Sequence, residues 1–340
     1  MERILTLKGL NNALRKKPNA KKAIVVDSNT YNYCLSVLLS KVDALHEAMI
    51  LEIGVGEKNK TIDTYMSIVK ELAKEGFDRH SQLVALGGGV VTDIVGFVGS
   101  SYKRGIDTYM IPTTTLAMVD ASIGGKNALN IGETKNQIGF VRFPKIVCID
   151  TSFLETLPAR QKQNGAVEMM KTALIADRAL FYEMIEHSPV EIGENESFIR
   201  QCMKIKRDIV RLDPFDLSMR QKLNFGHTIG HAIESISIKQ GIDMLHGEAV
   251  AIGMLYAIEL SKDMPVDQKN IVKKYITEHF DTALDKYDMN ELTNYMNADK
   301  KNSCGKYNFV LLKEIGESIY GQEVSKEQLK RILNFKNQEV

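Results

Sequence analysis

His227 and His231 stand four residues apart in the run NFGHTIGHAIES, which begins at Asn224. If the run is helical, that spacing puts both imidazoles on one face, and Gly226 and Gly230 keep the neighbouring surface small. Two imidazoles on one helix face suggest a metal site. The Glu that directly follows the first His in the helical metalloprotease signature is absent, so the remaining ligands must come from elsewhere. The candidates are His246, fifteen residues past His231 in LHGEAVAIGM, and Glu168, in the apolar-periodic run GAVEMMKTALI. Two His and one carboxylate make a three-ligand set with an open position, which is how catalytic rather than structural zinc is held. Spacing alone does not separate His227 from His231, and an HxxxH pair is also common among plain core and helix-surface residues.

A second chemical signal lies upstream, where the strand candidate Leu83–Leu86 runs into Gly87, Gly88 and Gly89 and then the apolar run VVTDIVGFVGSSY. Glycines let a backbone approach a pyrophosphate, and the N-terminus of the following helix favours its negative charge. The dinucleotide fingerprint is met only in its first two places, by Gly87 and Gly89, so the cluster also reads as a tight strand-to-helix turn. Asp27 ends the strand candidate Lys22–Val26. It suits a ribose hydroxyl, and suits equally well the cap of a helix beginning near Tyr31.

The stretch Met118–Gly139 is rich in Gly, Lys and Asn and too long for a simple turn. Within it Lys126, Lys135 and Asn136 offer donors to phosphate or carboxylate, against the plainer reading of a solvated surface loop. Lys171 lies one turn after Glu168 and shares its face. Lys206 sits on an amphipathic segment before Asp213 and Pro214. Arg220 and Asn224 precede His227 by seven and three residues, so the three share one side of a helix. A basic, hydrogen-bonding surface beside a metal suits a polyanionic, hydroxylated substrate; a surface salt-bridge face is the alternative.

These groups need a scaffold of two kinds. From the start to about Asp150 short β-rich runs alternate with longer periodic ones, the texture of a parallel sheet with crossover helices. Lys22–Val26, Glu47–Ile53, Leu83–Leu86, Asp107–Ile111 and Ile146–Asp150 are the strand candidates, and Tyr31–Leu39 reads as helical. A helix from about Lys60 turns Ile62, Tyr65, Met66, Val69, Leu72 and Ala73 to one side. Past Leu157 and Pro158 long helical periodicities take over. The expected organisation is an α/β nucleotide-binding domain over residues 1–157 and a mainly α-helical domain over residues 158–340. The default ligand site is a cleft between them at the strand C-termini.

At 340 residues the chain is long enough for two cores, and its net charge of +1 leaves no electrostatic footprint for nucleic acid or an anionic membrane. The longest apolar run, Ala249–Ile258, is half a membrane span, and the basic N-terminus lacks the apolar stretch and cleavage site of a signal peptide. Four scattered cysteines, Cys34, Cys148, Cys202 and Cys304, include no CxxC pair and read as free thiols of a reducing compartment. A soluble, cytoplasmic protein is expected.

Taken in order, DSNT, GEKNK, GGGVVTD, SYKRG, PTTTLAMVDASIGGK, KNQIG, FLETLP, GAVEMMK, NFGHTIGHA, LHGEAVAIGM and the late DKKN resemble the 3-dehydroquinate synthase family of sugar-phosphate cyclases. The resemblance runs through nearly the whole chain. It implies a nucleotide-binding N-terminal domain and a helical C-terminal domain enclosing NAD, zinc or cobalt, and a seven-carbon sugar acid phosphate, usually in a homodimer. By that likeness the metal falls to Glu168, His227 and His246, and His231 is left to meet substrate. NAD contacts map onto Asp27, Asn29, Glu57, Lys60, Gly88, Gly89, Val90, Asp93, Thr113, Thr114 and the run from Phe153 to Thr156, with Lys126 and Lys135 beside them. The substrate pocket maps onto Asp120, Lys126, Lys135, Asn136, Lys171, Lys206, Arg220, Asn224, His231 and one of Lys300 or Lys301. Arg104 matches an arginine that reaches into the neighbouring subunit's site. The chain departs from the family pattern at Pro214 and Ser218 in DPFDLSM, where an acid and a Gly are usual, and at Ala121 in VDAS, where VDSS is frequent.

The activity implied is that of an NAD- and metal-dependent phosphorus–oxygen lyase of the shikimate pathway, converting 3-deoxy-D-arabino-heptulosonate 7-phosphate to 3-dehydroquinate and phosphate. Transient oxidation by NAD, phosphate elimination, re-reduction and an intramolecular aldol closure make up the turnover. Polyol dehydrogenases of the glycerol dehydrogenase type share much of the architecture but release NADH, and an uncharged polyol needs neither the lysine-rich loop nor Arg220. A silent binding paralogue ranks last, because every matched ligand and pocket position is filled.

Overall fold

The computed structural model describes residues 1–132, 134–282, 289–298 and 306–336, and the chain divides into two compact units, Met1–Lys162 and Gln163–Val340. The division falls inside one helix, Ala159–Ala176. Lys300, Lys301 and Cys304 lie outside the described residues.

In the first unit the described strands are β1 (Arg3–Leu5), β2 (Lys22–Asp27), β3 (Met49–Ile53), β4 (Gln82–Gly87), β5 (Asp107–Pro112), β6 (Lys126–Ile131), β7 (Thr134–Val141) and β8 (Ile146–Cys148). Six of them form one sheet in the order β1-β8-β5-β4-β2-β3, and every pair in it is parallel. Ala23 to Val26 and Leu83 to Leu86 are wholly buried, as strands covered on both faces must be. The helices are α1 (Leu7–Leu14), α2 (Ser28–Tyr33), α3 (Leu35–Lys41), α4 (Ile62–Lys74) and α5 (Gly89–Ser101). Asp27 pairs with Ile53, and Gly87 with Pro112, so the strand ends that precede the chemistry-bearing loops are level with one another. The strand order reverses between β2 and β4, which opens a crevice at those ends.

Three local expectations change. The helix expected over Tyr31–Leu39 is two helices broken at Cys34, and the first begins at Ser28 because the Asp27 carboxylate accepts the Thr30 N–H at 2.8 Å and caps it. The α4 helix buries Ile68 and Leu72, whereas Ile62 and Met66 are 45% and 40% exposed, so the buried stripe is rotated from the one expected. Met118–Gly139 is not a solvated loop. Its first residues belong to a π turn, Ala117–Ala121, and from Lys126 its described residues belong to the antiparallel β6–β7 pair, which inserts Asn127 and Leu129 against α5. A Cβ at Gly96 of α5 would stand 2.8 Å from the Asn127 Cβ, so a small residue there lets the hairpin seat.

The second unit contains α6 (Ala159–Ala176), α7 (Arg178–Met184), α8 (Pro189–Glu194), α9 (Glu196–Leu212), α10 (His227–Gln240), α11 (His246–Leu260), α12 (Val266–His279), α13 (Met289–Ala298) and α14 (Lys326–Lys336). An antiparallel hairpin, β9 (Lys306–Glu314) with β10 (Glu317–Ser325), joins them and was not announced by the helical texture of the sequence. Ile233 and Ile236 of α10, Tyr256 of α11 and Tyr307 and Phe309 of β9 share one core cluster. Each of the two isoleucines contributes about 2 kcal/mol by leaving water. Among the described residues no helix is long and apolar enough to cross a membrane, and Cys34, Cys148 and Cys202 are buried free thiols.

Candidate active site

The metal-ligand candidates are brought together by an unusually close helix crossing. Gly226 caps α10 with φ 78°, which an L side chain rarely adopts. A Cβ at Gly253 of α11 would stand 1.9 Å from the Gly226 carbonyl oxygen, and one at Gly247 would stand 2.3 Å from the Asn164 carbonyl of α6. Asn164 fixes that second approach, its Oδ1 accepting the Gly247 N–H at 2.6 Å. Backbones of α6, α10 and α11 therefore touch, and Glu168, His227 and His246 converge from the three helices.

Glu168 is 1% exposed, and its Oε1 lies 3.5 Å from His227 Nε2 and 3.5 Å from His246 Nε2. The His227 ring is oriented from behind by the Phe225 carbonyl, 3.0 Å from Nδ1, which makes Nδ1 the donor and leaves the Nε2 lone pair facing Glu168. Around a tetrahedral zinc with bonds of about 2.1 Å, neighbouring ligand atoms stand roughly 3.4 Å apart, so the carboxylate and two imidazoles fit a divalent cation. His231, one turn along α10, is exposed and sits with its ring centroid 5.1 Å from that of His227.

The electrostatics point the same way. Burial pushes the Glu168 carboxyl up, but the ion pair with Lys171 and the imidazoles outweigh it and hold the group well below the usual carboxylate range. Burial and the Lys171 ammonium together hold His227 well below its ordinary value, against the pull of Glu168. At His246 burial is overridden by Glu234 and Glu168, which raise it to about 10. One imidazole is kept neutral while the surroundings of the other favour a positive charge, which is the charge a cation brings.

Lys206, on the inward face of α9, and Arg220, in the 3-10 turn Met219–Asn224, are buried in the same unit. Asn224 lines a depression with His227, His231 and Asn308 of β9. The departure DPFDLSM has a structural role: the Asp213 carboxylate accepts the N–H groups of Leu217, Ser218 and Arg220 at 2.7–3.0 Å, and the Pro214 carbonyl accepts from Arg220 Nη1 at 2.8 Å. The loop is thus tied back onto Arg220 with Pro214 and Ser218 in place.

In the first unit, Gly88 precedes α5 without any side-chain cap, leaving the first-turn N–H groups of Gly89 and Val90 at the end of β4. Thr113 is buried and Thr114 half-buried beside them; a Cβ at Gly88 would meet the Thr114 methyl at 3.1 Å, and one at Gly89 the Ala121 Cβ at 3.4 Å. This is a tight glycine turn that accommodates the Ala121 departure and offers a phosphate backbone donors.

Lys60 is 4% exposed, pairs with Asp93 at 2.5 Å and donates to Asn136 Oδ1 at 2.7 Å. Burial pushes the Asp93 carboxyl up, with Lys60 opposing it. Asn130 knits the group further: its Nδ2 donates to Glu57 Oε1 at 2.8 Å, its Oδ1 accepts the Asn136 N–H at 3.0 Å, and its own N–H donates to the Lys60 carbonyl at 2.9 Å. Lys135 lies 3.8 Å from Glu57. Asp120 is half-buried in the π turn, Lys126 is exposed at the start of β6, and Asn29 is exposed in the first turn of α2. Phe153 is buried in the 3-10 turn Thr151–Leu154, and Thr156 is exposed just beyond it. Arg104 is exposed, with φ 61°, at the far end of α5 from Gly88, and so is not gathered with the others in this chain.

Asn130, Asn164 and Glu234 were missed from the sequence. Glu234 had a signal, standing three residues after His231 and seven after His227 on one helix face. The two Asn had none, since their partners come from distant segments.

Models of the 3-dehydroquinate synthase N-terminal and C-terminal domains match residues 50–164 and 165–302. A 3-dehydroquinate synthase of Parabacteroides distasonis is 38% identical over 321 residues, covering 93% of this chain and 91% of the relative. Among solved structures, a 2-deoxy-scyllo-inosose synthase complexed with carbaglucose-6-phosphate, NAD+ and Co2+ superposes with a TM-score of 0.84 at 26% identity, covering 97% of this chain and 95% of that one. A 2-epi-5-epi-valiolone synthase from Streptomyces hygroscopicus with NAD+ and Zn2+ bound gives 0.86 at 25% identity, covering 100% and 98%. The chain belongs to the 3-dehydroquinate synthase family.

Proposed function

We propose that the protein converts 3-deoxy-D-arabino-heptulosonate 7-phosphate to 3-dehydroquinate and inorganic phosphate, as an NAD- and metal-dependent phosphorus–oxygen lyase working as a cytoplasmic homodimer. The observation that carries the reading is the Glu168–His227–His246 set, spaced for one cation, in a chain of this family. Bound NAD supplies a hydride acceptor and then a donor, and bound zinc or cobalt supplies Lewis acidity toward the substrate's hydroxyls.

Each residue then has a task. Glu168, His227 and His246 hold the cation, and Lys171 balances the buried carboxylate charge. The glycine turn and the first-turn amides of α5 take the pyrophosphate, with Asp27, Glu57, Lys60 and Asp93 around the rest of the nucleotide. His231 accepts the proton as the C5 hydroxyl becomes a ketone, its exposure letting it exchange with water. That ketone acidifies the C6 proton, the phosphate takes it, and the C7–O bond breaks to release phosphate. By the family likeness, binding of the phosphate before it leaves falls to Lys126, Asn136 and Arg220. Once C5 is a hydroxyl again, opening of the ring at C2 and attack of C7 on the C2 carbonyl close the carbocycle, favoured by a site that holds both ends in one conformation. Arg104, exposed just past the end of α5, serves the partner's site.

The test is phosphate release from the heptulosonate phosphate, followed together with nicotinamide absorbance, with and without NAD and after chelation. Release that needs both NAD and metal, with no net NADH, is expected. Steady NADH accumulation on simple polyols without phosphate release would place the protein among the dehydrogenases instead.

A further inference from the structure

We propose that Glu234 is a positioning residue of the metal site, holding the His246 ring through Nδ1 so that Nε2 faces the point shared with Glu168 and His227. The inference rests on the metal reading above and goes one layer behind it. Glu234 lies on α10, seven residues after His227, and is 5% exposed. A carboxylate so deep in the protein is costly unless charge or hydrogen bonds meet it. Its Oε2 stands 3.4 Å from His246 Nδ1, while the opposite ring nitrogen, Nε2, stands 3.5 Å from Glu168 Oε1. Both nitrogens of His246 are thereby committed, one to the ligand point and one to a carboxylate behind it. His227 is arranged alike, with the Phe225 carbonyl as the group behind. A carbonyl or carboxylate behind a ligating imidazole fixes its tautomer and ring angle and raises its basicity.

His231, Glu234 and His246 also bring ligand atoms within 4.8 Å of one another, which taken alone resembles a second cation site. The atom of His246 nearest Glu234 is Nδ1, and the same ring already presents Nε2 to Glu168. Two cations on one imidazole would require it to lose both protons and would set two dications a ring's width apart. A single cation with Glu234 behind it satisfies every distance without that cost.

The experiment is competition for Co2+ between a chelator and the full-length wild type, Glu234→Ala, Glu234→Gln and Glu168→Ala, with the cobalt visible spectrum recorded for each. Glu234→Ala is expected to bind Co2+ roughly 10–100-fold more weakly, with a shifted spectrum. Glu234→Gln keeps an acceptor oxygen for Nδ1 and should lose less, with the metal-free protein melting as the wild type does. Wild-type affinity and spectrum in both variants would overturn the inference. So would a second equivalent of Co2+ on the wild type that disappears in both variants, since it would make Glu234 a ligand. If Glu234→Ala fails to fold, Glu234→Gln decides by the same readouts. Failure of the metal reading itself looks different: Glu168→Ala would then bind Co2+ as tightly as the wild type.

Discussion

Gly253→Ala is the sharpest test of how the helices make the site. The added Cβ would stand 1.9 Å from the Gly226 carbonyl oxygen and 2.9 Å from the Gly230 nitrogen, both backbone atoms that cannot rotate away. Carbon–oxygen contacts normally begin at about 3.3 Å, so α11 must retreat from the start of α10 by well over an ångström. Overpacking of this kind costs roughly 1–3 kcal/mol, and rigid obstacles put it at the upper end. For a unit of this size that lowers the midpoint by roughly 6–12 °C in thermal unfolding followed by circular dichroism. Metal binding should suffer independently, because ligand positions tolerate only about 0.2 Å and His227 and His246 sit on the two helices that separate. Gly241→Ala is the control: φ is 69° but nothing lies within 4 Å of its Cβ, so it should cost about 1 kcal/mol of left-handed strain and leave Co2+ affinity alone. A Gly253→Ala protein that melts with the wild type and keeps its Co2+ affinity would refute the idea that this crossing sets the ligand spacing.

Three further outcomes follow from the geometry. His231→Ala should lower turnover roughly a hundredfold or more while cobalt content by elemental analysis stays normal; loss of the metal would mean that His231 belongs to the ligand set. Asn130→Ala removes the bonds to Glu57 and to the Asn136 N–H, about 1 kcal/mol each, so NAD affinity measured by calorimetry should fall roughly 5–30-fold; unchanged affinity would detach the hairpin from the nucleotide site. At Asp213 burial raises the carboxyl, but three backbone donors outweigh it and hold it at about 2, from 3.8. A depressed acid stabilises the fold above its unfolded value and loses that contribution as pH falls through its folded one. Wild type should therefore exceed Asp213→Asn by about 1–2 kcal/mol in denaturant unfolding at neutral pH, a gap that narrows from pH 4 toward pH 2; a pH-independent gap would contradict the assignment.

What the sequence made legible, and what it left open, follows from the range of the interactions. Strand candidates were placed within a few residues because β2 and β4 are continuous apolar runs, a signal that needs no partner. The sequence allows Asp27 two readings, ribose contact and helix cap, and the structure shows the cap. The hairpin at β6–β7 was hidden because its polar composition resembles a loop; its inward residues, Asn127 and Leu129, alternate over too short a run to stand out. The apolar stripe of α4 was misplaced because periodicity gives a face without saying how the neighbouring element is rotated against it.

The two helical histidines show the same limit at the centre of the chemistry. A four-residue spacing puts His227 and His231 on one face, and nothing within α10 ranks them. Their difference is imposed from outside the helix. Gly226 and Gly253 bring α11 onto the first turn of α10, burying His227 to 8% exposure, and the Phe225 carbonyl turns its ring toward Glu168. One turn later the α11 backbone still lies against Gly230, but His231 is exposed to solvent. A buried and an exposed imidazole are thus the same residue type on the same helix, told apart by what packs on each from outside it. The glycines that permit that approach are legible in the sequence, and they, more than the imidazole spacing, distinguish the buried histidine from the exposed one.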